Sequence, residues 1–177
     1  MAFLLAGCSH EPGALSLIEE GNRYVGEQAK DKVVQVRSEK SIGSLIPTIW
    51  YVVYYDPDAT FKATQVKFGA GKKLEISRPL RILEMIGRDN TPLDRSKFKV
   101  DSNRAIKIAA AEPLLKPVTL RATQLFLQHG DDGPEWKVRL WAAKANNPTL
   151  DADIGSVYIS AATGKVIRGD LLIENVN

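Results

Sequence analysis

Leu5-Ala6-Gly7-Cys8 is the stretch of this chain whose residue types and spacing are most suited to chemistry. A branched apolar residue and two small residues precede a cysteine, in the order of a bacterial lipobox. Small side chains at Ala6 and Gly7 let a signal peptidase reach the scissile backbone. The Cys8 thiol is then the nucleophile that accepts diacylglycerol. Each buried acyl methylene contributes about 0.8 kcal/mol, so two or more chains hold a protein stably at a bilayer. Cys8 is the only cysteine in 177 residues, so no disulfide forms within the chain. Residues 1–13 therefore read as a lipoprotein signal remnant and tether, and the expected address is the bacterial cell envelope, periplasmic or cell-surface. The membrane would be contacted through acylated Cys8, since no later stretch reaches the ~20 apolar residues of a span.

Other reactive groups are sparse. The two histidines, His10 and His129, fall in the tether and beside the turn Gly130-Asp131-Asp132-Gly133. A zinc site needs three or four convergent ligands. Asp131-Asp132 and Asp151-Ala152-Asp153 lack the continuation of a calcium loop. The chain has no nucleophile elbow, phosphate loop or dinucleotide fingerprint. The expectation is a protein that is not an enzyme, with no metal and no cofactor. A net charge of +3, from 24 basic and 21 acidic residues, includes no concentrated basic run, which argues against nucleic acid.

The elements that would position any surface follow from periodicity. Residues 14–30 carry an apolar stripe at helical spacing (Ala14, Leu17, Ile18, Gly21, Tyr24, Val25). Strands are expected at 33–38, 49–55, 61–68 and 73–77, with residues 80–86 continuing as strand or short helix. Gly87 to Lys97 is polar and turn-rich. Asp101 or Ser102 should cap a second helix, followed by strands at 118–127, 136–142, 154–160 and 165–172. The order repeats as helix, strand, Trp-led strand, strand, Gly-Lys turn, strand. The expected fold class is α+β, as two helix-plus-antiparallel-sheet units, each a helix on a curved 3–4-stranded antiparallel sheet. The units would be a degenerate first repeat at 14–87, a linker at 88–97 and a second repeat at 98–177.

Trp136-Lys137-Val138-Arg139-Leu140 and Val157-Tyr158-Ile159-Ser160-Ala161-Ala162-Thr163-Gly164-Lys165-Val166, with the Ala-rich helix 101–109 before them, resemble the PepSY family over about residues 98–172. Ser160 stands where that family usually has Asp. The resemblance implies an exported, non-enzymatic module, often linked to inhibiting or regulating peptidases. The fold it implies is similar to the tandem repeats of β-lactamase-inhibitory protein.

Strand alternation sorts the aromatic residues into two faces. Trp50, Val52 and Tyr54 point one way, as do Trp136, Val138 and Leu140. If helices cover that face, the other presents Tyr51, Tyr55, Lys137, Arg139 and Trp141. Aromatics with arginine suit a protein or peptide partner. The alternative is that the two units pack together and bury these rings in a second core. At the level of function, the leading expectation is a lipid-anchored binding module whose sheet face holds a protein or peptide partner, with non-covalent occlusion of a peptidase as its sharper form. The alternatives are a scaffolding envelope lipoprotein and a small-ligand carrier.

Overall fold

The structure is a computed structural model that describes residues 12–78 and 91–176. The lipobox residues Leu5, Ala6, Gly7 and Cys8, the segment expected at 80–86 and the start of the expected linker lie outside the described residues. Helix α1 spans Ala14–Gly21 and α2 spans Ser102–Ala110. The strands are β1 (Val33–Ser38), β2 (Ile49–Tyr55), β3 (Ala63–Gly69), β4 (Lys72–Ser77), β5 (Leu120–Gly130), β6 (Gly133–Ala143), β7 (Asp151–Ser160) and β8 (Val166–Leu171). No helix among the described residues is long and apolar enough to cross a membrane.

The expected pair of helix-plus-sheet units is not what forms. All eight strands join one antiparallel sheet in the order β4-β3-β2-β1-β5-β6-β7-β8. A single buried cluster runs beneath both helices, combining Leu17, Ile18, Trp50 and Phe68 with Ala105, Leu125, Trp136 and Ile159. The reason lies in the edges. β1 and β5 each open a meander, and each would leave a row of unpaired backbone groups if its meander stood alone. Pairing β1 with β5 removes both edges at once.

That seam is short. Its ladder contains Val36 opposite Leu127 and Arg37 opposite Phe126. Beyond it, serine hydroxyls replace backbone partners. Leu125 N donates to Ser38 Oγ at 2.9 Å, and Thr123 N donates to Ser41 Oγ at 2.9 Å. Thr123 Oγ1 in turn donates to Leu45 O at 2.7 Å, holding the β1–β2 loop against β5. Leu125 and Thr123 are fully buried, and Ser38 and Ser41 are 1% and 4% exposed, so neither amide can turn to water instead. We expect Ser38→Ala and Ser41→Ala each to lower unfolding stability by about 1–3 kcal/mol, the cost of an orphaned buried donor. Urea denaturation measures this; unchanged midpoints would show that the seam does not depend on the hydroxyls.

The first helix is also shorter than its apolar stripe predicts. A Cβ at Gly21 would lie 2.2 Å from Tyr54 Oη, so the chain passes close over that ring. Tyr54 Oη donates to Ile18 O at 2.9 Å, and tight turns at Tyr24 and Ala29 lead into β1. Gly21 favours this ending, because glycine costs about 1 kcal/mol in a helix. Asp101 caps α2 as expected, accepting from Ser102 N at 2.7 Å. The same two residues serve α1: Leu15 N donates to Asp101 Oδ1 at 3.1 Å and Ala14 N to Ser102 Oγ at 3.0 Å. Both helix N-termini thus share one capping site. Residues 91–97, expected as linker, contain a short 3-10 turn at Arg95–Lys97, and Leu93 N donates to Val33 O at 2.7 Å.

Candidate functional site

Both helices pack on one face of the sheet, α1 over β2 and α2 over β5, β6 and β7. The layer between is filled with side chains: Trp50 is 3% exposed, and Trp136, Val138 and Leu140 are fully buried. Trp136 Nε1 donates to Val100 O at 2.7 Å. The opposite face carries no helix among the described residues. Of the two arrangements that alternation allows, the described residues form the open face, apart from a small cluster of Val34, Val53 and Ala63. Tyr51, Tyr55, Lys137 and Trp141 are half-buried there and Arg139 is exposed.

Register decides which of these residues come together. Directly opposed residues of paired strands point to the same side of a sheet. Starting from β3, Lys67 opposes Tyr51, and Tyr51 opposes Arg37. Arg37 opposes Phe126 across the seam, and Phe126 opposes Lys137. Lys137 opposes Tyr158, and Tyr158 opposes Arg168 on β8. One line perpendicular to the strands therefore reads Lys, Tyr, Arg, Phe, Lys, Tyr, Arg. Six inter-strand steps make it roughly 29 Å long.

Cations lie over the rings along this line. Arg37 Cζ is 4.3 Å and Lys67 Nζ 5.2 Å from the Tyr51 centroid. Arg168 Cζ is 3.5 Å and Lys137 Nζ 5.7 Å from that of Tyr158. Trp141 sits off the line between Arg139 at 5.1 Å and Lys40 at 4.9 Å. Each such contact contributes about 0.5–1 kcal/mol when exposed. They also hold long side chains in one place, lowering the entropy a ligand must remove.

Of the five residues named from the sequence, Tyr51 and Lys137 lie in the row and Arg139 is one step beside it. Trp141 and Tyr55 stand four residues along β6 and β2, roughly 13 Å to opposite sides of the row. Tyr55 belongs instead to a small cluster with Val34, Val53 and Ala63. Arg37, Lys67, Phe126, Tyr158 and Arg168 were not singled out by pattern alone. Their alternation marks them as facing away from the core, but only the seam register aligns them.

Polar contacts secure the flanks. Arg37 Nη2 donates to Gln65 Oε1 at 2.6 Å, and burial lowers the pKa of its guanidinium. Arg139 Nε donates to Asp153 Oδ2 at 2.8 Å. An open cleft of about 430 Å³ is lined by Lys137, Arg139, Asp153, Ser156, Tyr158 and Asp170. A second, of about 590 Å³, lies at the end of the sheet between the Ser41–Leu45 loop, Arg121 and Asp151. Ile42 at that loop is 95% exposed. His129 is fixed at the end of β5, where Nε2 donates to Thr91 O at 2.7 Å. Among the described residues, no three His, Cys, Asp or Glu side chains gather as metal ligands.

Tyr51 is anchored by Glu39. The Tyr51 hydroxyl donates to Glu39 Oε1, and Lys67 Nζ lies 3.5 Å from the same oxygen. The hydrogen bond from Tyr51, and secondarily the Lys67 charge, hold the Glu39 carboxyl below its ordinary range. A carboxylate whose pKa is depressed on folding stabilises the native state above its unfolded pKa of about 4.3. That contribution is lost as the pH falls through the depressed folded value. We expect Tyr51→Phe to raise the Glu39 midpoint toward the ordinary value, read by carboxyl-carbon NMR titration. An unchanged midpoint would remove Tyr51 as the cause.

No protein-family model matches this chain, and neither a curated protein nor a solved structure gives a significant match.

Proposed function

We propose that this chain is a non-catalytic binding module, held at the bacterial envelope by lipid on Cys8, whose open sheet face takes a protein or peptide partner. The observation that carries the reading is the cation–aromatic row. Aromatic rings and arginine are the side chains most enriched where protein partners bind strongly. Here they are held in register on a rigid sheet rather than on loops. The resemblance of residues 98–172 to the PepSY family supports the same class of activity.

The mechanism is occupancy. A partner laid on the face loses access to whatever lies beneath the sheet, with no bond made or broken. Inhibition of a peptidase is the sharper form of this reading: the sheet and the loop bearing Ile42 would block a substrate cleft. The lipid would keep the module near partners in the same membrane or its adjoining compartment.

Site-specific photocrosslinking tests the reading. A benzophenone side chain at position 51 or 141, in full-length protein in a bacterial envelope, should trap a discrete protein adduct. The same probe at Lys107, on the helix layer, should not. Absence of any adduct from both face positions would refute the proposal.

A further inference from the structure

We infer that the row reads an acidic segment of the partner in the polyproline II conformation, with a carboxylate at every third residue. This rests on the binding-face reading above and adds the chemistry of what is read.

The spacing comes from the sheet itself. Lys67, Arg37, Lys137 and Arg168 occupy alternate strands along one line. Neighbouring strands lie about 4.8 Å apart, so successive cations are roughly 9.6 Å apart. A polyproline II helix has three residues per turn and rises about 3.1 Å per residue, so residues i and i+3 share one side about 9.3 Å apart. A β-strand cannot do this, because its residues i and i+3 point to opposite sides. The spacing therefore fits a polyproline II helix better than a β-strand, whose same-face residues repeat at about 6.7 Å.

Charge complementarity selects the acid. None of the seven row residues is a carboxylate, and the acids beside the row sit toward its two ends, Glu39 against Tyr51 and Lys67, and Glu135 and Asp170 against Arg168; Glu75, opposite Lys67 on β4, lies beyond it. Among the described residues, Arg37 and Lys137 make no salt bridge. The ion pairs at the other two cations are long. Lys67 to Glu39 is 3.5 Å, and Arg168 to Glu135 and Asp170 are 4.0 and 3.7 Å. Tyr51, Phe126 and Tyr158 fill the intervals with flat rings. Two of the rings lie beneath cations, Tyr158 (8% exposed) under Arg168 and Tyr51 under Arg37, and hold the charged groups in place. A polyproline II segment, already extended before binding, loses little entropy on docking. Arg37 is held between the Tyr51 ring and Gln65, so its position is fixed before a ligand arrives.

Fluorescence anisotropy with the full-length protein in mild detergent provides the test. The probes are labelled (Glu-Pro-Pro)4, (Gln-Pro-Pro)4, and a peptide of the first composition with its glutamates clustered at one end. The spaced acidic peptide should bind about tenfold tighter than the neutral one and measurably tighter than the clustered one. Its affinity should fall as salt rises. Lys137→Gln and Arg168→Gln should each weaken it about tenfold with unchanged Tm, while Lys107→Gln on α2 leaves it alone. Should Arg168→Gln disturb β8, Lys137→Gln alone decides.

Equal binding of acidic and neutral peptides would overturn the acidic reading and leave a peptide-binding face intact. Indifference to glutamate spacing would overturn the conformational match. Preference for an oligogalacturonate or for single-stranded DNA would overturn the partner class. Failure of every peptide, alongside successful photocrosslinking from position 51, would overturn this inference and spare the reading beneath it.

Discussion

Replacing Gly155 with alanine should strip β8 from the sheet. Gly155 opposes Leu171 in the β7–β8 ladder and has φ of +94°. A Cβ there would lie 1.9 Å from Asp170 O and 3.0 Å from Asp170 C. Those are backbone atoms of the paired strand, so no rotamer change relieves the contact. Strain at a left-handed backbone position adds to the clash. We expect a loss of about 3 kcal/mol or more, within the range reserved for changes with a named steric cause. Urea denaturation measures the loss and hydrogen exchange locates it. Amides of β8 should lose protection first, while those of β5 and β6 remain slow. Because Arg168 sits on β8, the variant should also shorten the row by its last cation. A midpoint equal to that of the wild type would mean that β7 and β8 separate freely at this point.

Trp136→Ala should be the most damaging single truncation in the core, and Trp141→Ala should be nearly silent. Both residues lie on β6, five positions apart in sequence and on opposite faces of the sheet. Trp136 is fully buried, and its indole satisfies Val100 O. Removing it leaves a cavity and an orphaned carbonyl, together costing about 4 kcal/mol. Domains of this size have about 5–15 kcal/mol in total, so the variant would stand near the unfolding threshold. Trp141 is half-buried between Arg139 and Lys40, and its loss should cost about 1 kcal/mol or less. Chemical denaturation of the pair provides the comparison. Equal destabilisation would make Trp141 a core residue and remove the open face as a binding surface.

The contrast between those tryptophans was legible in the sequence. Period-two alternation assigned Trp50 and Trp136 to the covered side and Tyr51, Lys137 and Trp141 to the other, and the structure places them so. The Asp101 cap and the Gly164 turn, where φ is +79°, were equally local. The joining of the strands into one sheet was not legible. It depends on Val36 meeting Leu127 and Arg37 meeting Phe126, partners some 90 residues apart in sequence. Periodicity says which side a residue faces and nothing about which distant strand lies beside it. The cation–aromatic row depends on the same seam, so its members looked unrelated until the register was known. The length of α1 was partly legible, because Gly21 weakens a helix there, but the close passage of Gly21 over the Tyr54 ring, on a strand more than 30 residues later, was not.

The capping site shared by the two helices bears on how the protein is made. Ala14 and Leu15 emerge early in synthesis, yet the groups that receive their amide hydrogens belong to Asp101 and Ser102. A nascent chain or one threading through a translocon N-terminus first therefore carries an uncapped, eight-residue α1 until more than half of it has passed. Folding of the front half should wait on arrival of the back half, keeping the polypeptide open until residues 101 and 102 are free to join it.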